Sequence, residues 1–340
     1  MKSTAAHKPL IAVTTGDVNG IGPEVGLRAV VHPSVRRHCT PVLVGSLSVY
    51  AAYARMLRLS VRLAPIRHPW QVGSVPGVPV LEIQSGRSPD PLPGRLSRQS
   101  GAYAAASLRE AAIRCTRHEF AGMVTAPVSK EALSLAGYRY PGQTEFLAHL
   151  THSPHVVMMF VGRTLRVALA TVHMPISAVP RAIREPLLSE RVSTILRSLR
   201  RDFGIAAPRI ALLGLNPHAG EHGLLGTEET RILLPFLRKF HPRSAVIEGP
   251  FPPDAFWGTR RYRDFDLVFS IYHDQGLIPF KLLEFSTGVN FSAGLSIIRT
   301  SPDHGTAFDI AGRGKADPGS TIAALQLAAD IARTRMKKTP

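Results

Sequence analysis

Three of the chain's 14 histidines share a context. His173 follows Leu165-Arg-Val-Ala-Leu-Ala-Thr-Val172, His218 follows Ala211-Leu-Leu-Gly-Leu-Asn-Pro217, and His273 follows Asp266-Leu-Val-Phe-Ser-Ile-Tyr272. Each apolar run reads as a buried strand. That places each imidazole just past a strand's carboxyl end, where open α/β sheets carry their ligand sites. Three neutral imidazoles with open positions make a catalytic divalent-metal site, because the vacant positions can take substrate oxygens. The alternative is three hydrogen-bonded loop histidines with unrelated roles. His149, His152, His155, His222 and His304 lack one or more parts of this context. A second group suits an anion: Lys281, Asn290 and Arg299 follow His273 at intervals that can bring them to one cleft, where Lys or Arg grips phosphate or carboxylate. Their bland reading is three solvated polar residues. Thr144 and Glu145 follow the Pro141-Gly142 turn and can begin a helix facing an anion.

Positioning these groups requires an α/β scaffold, and the chain alternates short apolar runs with amphipathic stretches from end to end. Strands are expected at Leu10–Thr14, Val42–Val44, Met123–Ala126, Leu165–Thr171, Ile210–Leu215, Leu267–Tyr272 and Ser296–Ile298. Helices are expected from Pro23, over Ser46–Leu59, Ser97–Thr116 and Thr321–Met336, and over the run Val192, Ile195, Leu196, Leu199, Phe203. Ser189 is expected to cap that last helix and Gly204 to close it. Residues 64–100, rich in Pro, Gly and Ser, read as irregular structure with short strands. The 340 residues suggest two domains: 1–130 with 300–340 as a first α/β domain, and 131–299 as a second.

Gly16-Asp-Val-Asn-Gly-Ile-Gly22 lacks the G-x-G-x-x-G spacing of a Rossmann turn. The segment Asp303-His-Gly-Thr-Ala-Phe-Asp-Ile-Ala-Gly-Arg-Gly-Lys-Ala-Asp317 is polar and glycine-rich, which suits a backbone wrapped close to a ligand.

Composition narrows the partners. Hydrophobic residues at 44% and charged residues at 19% exclude disorder as the main state. No apolar run reaches the ~18 residues of a membrane helix, and the opening apolar run stops at Thr14, short for a secretory leader. Cys39 and Cys115 cannot form a disulfide framework. A cytoplasmic protein without a membrane partner is expected. The formal charge of +17 comes from 41 Lys+Arg against 24 Asp+Glu. The arginines are scattered, no finger or RNA-binding motif accompanies them, and nucleic acid is not an expected partner. Such a surface still steers small anions.

Five segments, Thr15-Gly-Asp-Val-Asn-Gly-Ile-Gly-Pro-Glu24, Pro141-Gly-Gln-Thr-Glu-Phe146, Leu215-Asn-Pro-His-Ala-Gly-Glu221, Tyr272-His-Asp-Gln-Gly276 and Arg299-Thr-Ser-Pro-Asp-His-Gly-Thr-Ala307, resemble the 4-hydroxythreonine-4-phosphate dehydrogenase family of pyridoxal phosphate biosynthesis. The resemblance runs from about residue 9 to 332, with the motifs in family order. It implies a two-domain fold like the isocitrate and isopropylmalate dehydrogenases, non-Rossmann, with the active site in the interdomain cleft at a dimer interface. It implies NAD or NADP held by His304, Gly305, Thr306, Ala307 and Asp309, and one divalent ion (Zn, Mg or Co) on His173, His218 and His273. Substrate contacts fall on Gln143, Thr144, Lys281, Asn290 and Arg299, and Asp274 and Asp254 are candidates for the base. For Asp254, in Pro252-Pro-Asp-Ala255, a turn or helix cap is the competing reading.

The implied reaction is oxidation of 4-phosphohydroxy-L-threonine at C3 and decarboxylation to 3-amino-2-oxopropyl phosphate, carried out by a homodimer. One position departs from the family pattern, which has His where this chain has Gln143. Gln143 donates a hydrogen bond but carries no positive charge. That leaves a sister activity as the alternative, on 4-phosphoerythronate, 4-phosphothreonate or an aromatic dihydrodiol acid.

Overall fold

The computed structural model describes residues 8–83 and 88–338; residues 1–7, 84–87 and 339–340 of the expected first domain lie outside that set. Twelve strands occur among the described residues: β1 Leu10–Thr14, β2 Thr40–Gly45, β3 Leu63–Ile66, β4 Val78–Glu82, β5 Gly122–Val124, β6 Val157–Val161, β7 Arg166–Leu169, β8 Arg209–Leu213, β9 Val246–Phe251, β10 Leu267–Ser270, β11 Val289–Ala293 and β12 Arg299–Pro302. By internal contacts the chain forms two compact units, one running to Ser153 and resuming over Leu295–Met336, the other essentially Pro154–Gly294. The sequence reading put the divisions near 130 and 300. The first falls later because helices Lys130–Leu135 and Gln143–Leu150 pack on helix Arg98–Thr116 of the first unit, and the second lies at Leu295.

In the first unit the strands run β3-β4-β2-β1-β5-β12, and their paired neighbours are parallel. β1 and β2 are buried almost throughout, as parallel strands covered by helices on both faces must be. The second unit runs β11-β6-β7-β10-β8-β9. Here β7, β10, β8 and β9 are parallel, and β6 is antiparallel to both neighbours. The α/β, non-Rossmann class expected from the sequence is the one observed.

Most elements form where periodicity placed them, with three differences. The helix assigned to a Ser189 cap begins a turn earlier, at Glu185, with Pro186 in its first turn. Proline needs no amide partner there, and Ser189 Oγ donates to Glu185 Oε1 at 2.8 Å inside the helix. Gly204 takes the expected left-handed conformation after it, at φ +72°. The strand expected at Ser296–Ile298 forms at β12 instead: the Ser296 amide donates to Ser153 Oγ, and ladder pairing begins where the Ile298 carbonyl accepts from Met123 N. β6, β9 and β11 were not anticipated: β6 and β11 pair with each other in antiparallel register, and β9 lies parallel on the edge of β8. No helix among the described residues is long and apolar enough to cross a membrane.

Glu284 ends helix His273–Glu284 almost fully buried and accepts from Thr164 N and Oγ1 and from Thr287 Oγ1. Burial opposes its charge, but these hydrogen bonds prevail and hold its carboxyl below the ordinary value. A depressed carboxyl stabilises the fold fully above its unfolded value and loses that contribution as pH falls through the depressed one. Urea midpoints of wild type are therefore expected to drop between neutral pH and pH ~4 and below more than those of Glu284→Gln, whose amide does not titrate. Equal drops would assign the acid sensitivity elsewhere.

Candidate active site

The strands that carry the three histidines are neighbours. β7, β10 and β8 lie side by side and parallel, with Val268 level with both Val167 and Ala211. Their carboxyl ends therefore share one edge, with adjacent strands roughly 4.8 Å apart. His173 stands four residues past β7 and His273 opens the helix after β10. Their ring centroids are 6.1 Å apart. Both line a cavity of about 590 Å³ with Asp274, Tyr272, Met174 and Ile176. His273 Nδ1 lies 2.7 Å from Asp274 Oδ1. A carboxylate on one ring nitrogen fixes the tautomer and leaves Nε2 as the ligating atom. Thr171 ties the two strand ends together, its N and Oγ1 both donating to the Ile271 carbonyl.

His218 emerges from β8 in an unusual turn. Residues His218 to His222 all have positive φ, between 42° and 80°, a left-handed conformation costing about 1–2 kcal/mol for each residue bearing a Cβ. His173 is left-handed too, at φ 43°. Strain of this kind concentrates where side chains must be aimed. As placed, no three His, Cys, Asp or Glu side chains among the described residues are grouped closely enough to hold a metal ion. The donor chemistry nevertheless fits one: three imidazoles end three adjacent strands, and two of them face each other. Of the remaining expected residues in this unit, Lys281 is exposed on helix His273–Glu284. Asn290 sits on β11 with a buried, unpartnered Oδ1. Asp254 is exposed in the first turn of helix Pro253–Gly258, one position inside it, and the cap position expected as its alternative falls to Pro252.

In the first unit the expected substrate residues converge on the carboxyl end of β5. Arg299, 4% exposed, donates from Nε to Thr125 Oγ1 at 2.9 Å, and Gln143 Nε2 donates to the Ala126 carbonyl at 3.1 Å. Gln143 and Thr144 open helix Gln143–Leu150, and Glu145 follows them. Burial lowers the Arg299 guanidinium to about 10, against the pull of Glu145, so it stays cationic at neutral pH. The expected cofactor residues lie in the loop after β12. Its position is set by the first glycine motif: Ile21 N donates to the Thr306 carbonyl, and a Cβ on Gly20 would approach that oxygen to 2.9 Å. Gly16, at φ +68°, closes the same turn against Pro127. Farther along, Glu24 accepts from Ala316 N, and Ile21 and Val25 pack on Ala311 and Ala316. The 15–24 motif is thus the floor of the 303–317 loop.

Two residues escaped the sequence reading. Gln275 donates to the Gly214 carbonyl and accepts from Ile271 N, linking the ends of β8 and β10. Glu229 is buried beneath the His218 turn. Gln275 lay inside a quoted motif and was legible there; nothing local marked Glu229.

Two α/β units, one parallel and one mixed, imidazoles at strand ends and a glycine turn without Rossmann spacing define a non-Rossmann α/β dehydrogenase. The chain belongs to the family of pyridoxal phosphate biosynthetic protein PdxA, whose profile matches residues 37–328. It is 42% identical over 335 residues to a 4-hydroxythreonine-4-phosphate dehydrogenase of Prosthecochloris aestuarii, covering 96% of this chain and 98% of that one. It is equally 42% identical, over 332 residues, to a D-threonate 4-phosphate dehydrogenase of Cupriavidus necator, covering 97% and 99%. The crystal structure of 4-hydroxythreonine-4-phosphate dehydrogenase from Klebsiella pneumoniae superposes with a TM-score of 0.83 at 37% identity, covering 96% and 100%. A terephthalate 1,2-cis-dihydrodiol dehydrogenase from Burkholderia xenovorans superposes at 0.66 with 28% identity, covering 95% and 98%.

Proposed function

We propose that the chain oxidises 4-phosphohydroxy-L-threonine at C3 with NAD or NADP, and that loss of the carboxylate as CO2 gives 3-amino-2-oxopropyl phosphate. The observation that carries this reading is the edge shared by β7, β10 and β8, with an imidazole past each strand. His173, His218 and His273 would hold a divalent ion (Zn, Mg or Co). When bound, the ion supplies Lewis acidity to the substrate's oxygens and the nicotinamide accepts the hydride.

The chain's own groups do the rest. Asp274 holds the His273 ring by Nδ1 and is, with Asp254, a candidate to take the hydroxyl proton. Arg299, a cation buried beside Thr125, binds phosphate or carboxylate, with Lys281, Asn290 and Thr144 as further contacts. The loop bearing His304, Gly305, Thr306, Ala307 and Asp309 receives the cofactor. A second copy of the chain completes the enzyme: helix His273–Glu284 and the residue after it expose Ile278, Leu282, Leu283 and Phe285, two of them to 82%. Uncovered apolar surface of that kind belongs in an interface.

One observation favours a sister substrate. The Gln143 amide is turned toward the Ala126 carbonyl, so this position offers no cation to a substrate anion, and the Cupriavidus relative named for D-threonate 4-phosphate is as identical to this chain as the Prosthecochloris one named for the first reading. The test is NAD and NADP reduction, followed by near-ultraviolet absorbance, by protein whose mass in solution is expected at twice 36.9 kDa. Substrates are 4-phosphohydroxythreonine, 4-phosphothreonate and 4-phosphoerythronate, each with and without chelator. Chelator-sensitive turnover on the first alone is expected. Preference for either of the others would transfer the assignment to the sister activity and make Gln143 a specificity residue.

A further inference from the structure

The left-handed residues His218–His222 lie within the short 3-10 segment Pro217–Gly223. At its borders Ala219 N donates to the Asn216 carbonyl, and the Glu221 and Gly220 carbonyls accept from Leu224 and Leu225. Four of the five left-handed residues carry a Cβ in a conformation L residues avoid, so the surroundings must over-determine it. Those surroundings centre on one carboxylate. Glu229, 1% exposed, accepts from Leu215 N at 2.7 Å and Asn216 N at 2.8 Å through Oε1, and from Asn216 Nδ2 at 2.8 Å through Oε2. Asn216 Nδ2 also donates to Glu228 Oε2. The fit is close: a Cβ on Gly220, at the centre of the turn, would come within 2.7 Å of Glu229 Oε2. On the other side, the Gly214 carbonyl is held by Gln275, two residues after His273.

We infer that Glu229 is a positioning residue: its buried carboxylate clamps Leu215 and Asn216 and so fixes the exit angle of the chain that presents His218. All three of its short contacts go to the entrance of that turn and none to its own helix, which separates it from a buried helix-start carboxylate. A carboxylate taken out of water keeps its place only when its oxygens are satisfied, and here the satisfying groups are the two residues that aim His218. The inference rests on the proposed role of His218 in holding a divalent ion.

The test is Co²⁺ binding to the full chain by calorimetry, with the visible spectrum of the cobalt-bound protein and the separate kcat and KM values, in wild type, Glu229→Gln, Asn216→Ala and His218→Ala. Glu229→Gln replaces an acceptor oxygen by an NH2 facing the Asn216 donor. It is expected to weaken Co²⁺ about 10–100-fold, as loss of groups behind metal ligands does, to shift the cobalt bands, and to lower kcat with little change in KM for NAD. Asn216→Ala removes one donor and leaves the charge; it is expected to weaken Co²⁺ about tenfold, and it carries the test if Glu229→Gln does not fold. Co²⁺ affinity within twofold of wild type in the folded variants, with His218→Ala strongly weakened, overturns the inference and leaves the metal role of His218 standing. Unchanged Co²⁺ affinity in His218→Ala overturns both.

Discussion

His273→Ala is expected to lower turnover on the preferred substrate by about 10³-fold or more, with the far-ultraviolet spectrum and urea midpoint unchanged. The magnitude follows from the proposed role of His273 as a metal ligand: a bound ion supplies several kcal/mol of charge stabilisation in the transition state, at 1.36 kcal/mol per factor of ten. The fold should tolerate the change because the His273 side chain is 42% exposed and its one hydrogen-bond partner, Asp274, is more exposed still. Asp274→Asn is the informative companion. An amide can still accept from Nδ1–H but stabilises the ring less than a carboxylate does, so activity should fall by less than with His273→Ala. Steady-state kinetics with saturating cofactor checks both. Near-normal turnover of His273→Ala would remove this edge of the sheet from the reaction.

Arg299→Met carries the second large effect. The guanidinium is buried, donates to Thr125 Oγ1 and remains charged although burial lowers it to about 10. A buried guanidinium at the carboxyl end of β5 suits a ligand anion. Truncating one partner of a buried, hydrogen-bonded charge pair costs about 2–5 kcal/mol, so kcat/KM should fall roughly 30- to several-thousandfold, most of it in KM. Arg299→Lys should recover little, since an ammonium cannot reproduce the planar fork. An unchanged KM would make Arg299 a structural residue of β12.

Much of this site is readable in the sequence because its groups sit at fixed offsets from strongly patterned strands. β1, β2, β7, β8 and β10 are short apolar runs bounded by polar residues, and the residue that follows such a run in a parallel sheet has one place to be. That reasoning located His173, His218 and His273 before any coordinates. Helices announced themselves by caps and turns, as with Ser97, whose Oγ accepts from Ser100 N. The exceptions share a cause. Ser189 was a plausible cap by type, but Pro186 fixed the start one turn earlier. β6, β9 and β11 escaped because each is defined by the strand it pairs with and not by its own pattern. The domain break moved because helix Lys130–Leu135 is assigned by what it packs on.

The sequence by itself determined the α/β class, the absence of a Rossmann turn, the strand-end histidines and the loop at 303–317, all set by local periodicity and composition. Tertiary structure decided the rest. It put β7, β10 and β8 side by side, so that residues a hundred positions apart share one edge. It turned the 15–24 glycine motif into the support of the 303–317 loop through contacts such as Ile21 to Thr306. It buried Arg299 and Glu229, whose roles depend on which groups surround them. A charge acquires its function from desolvation and from its neighbours, and both are properties of packing that a linear pattern does not contain.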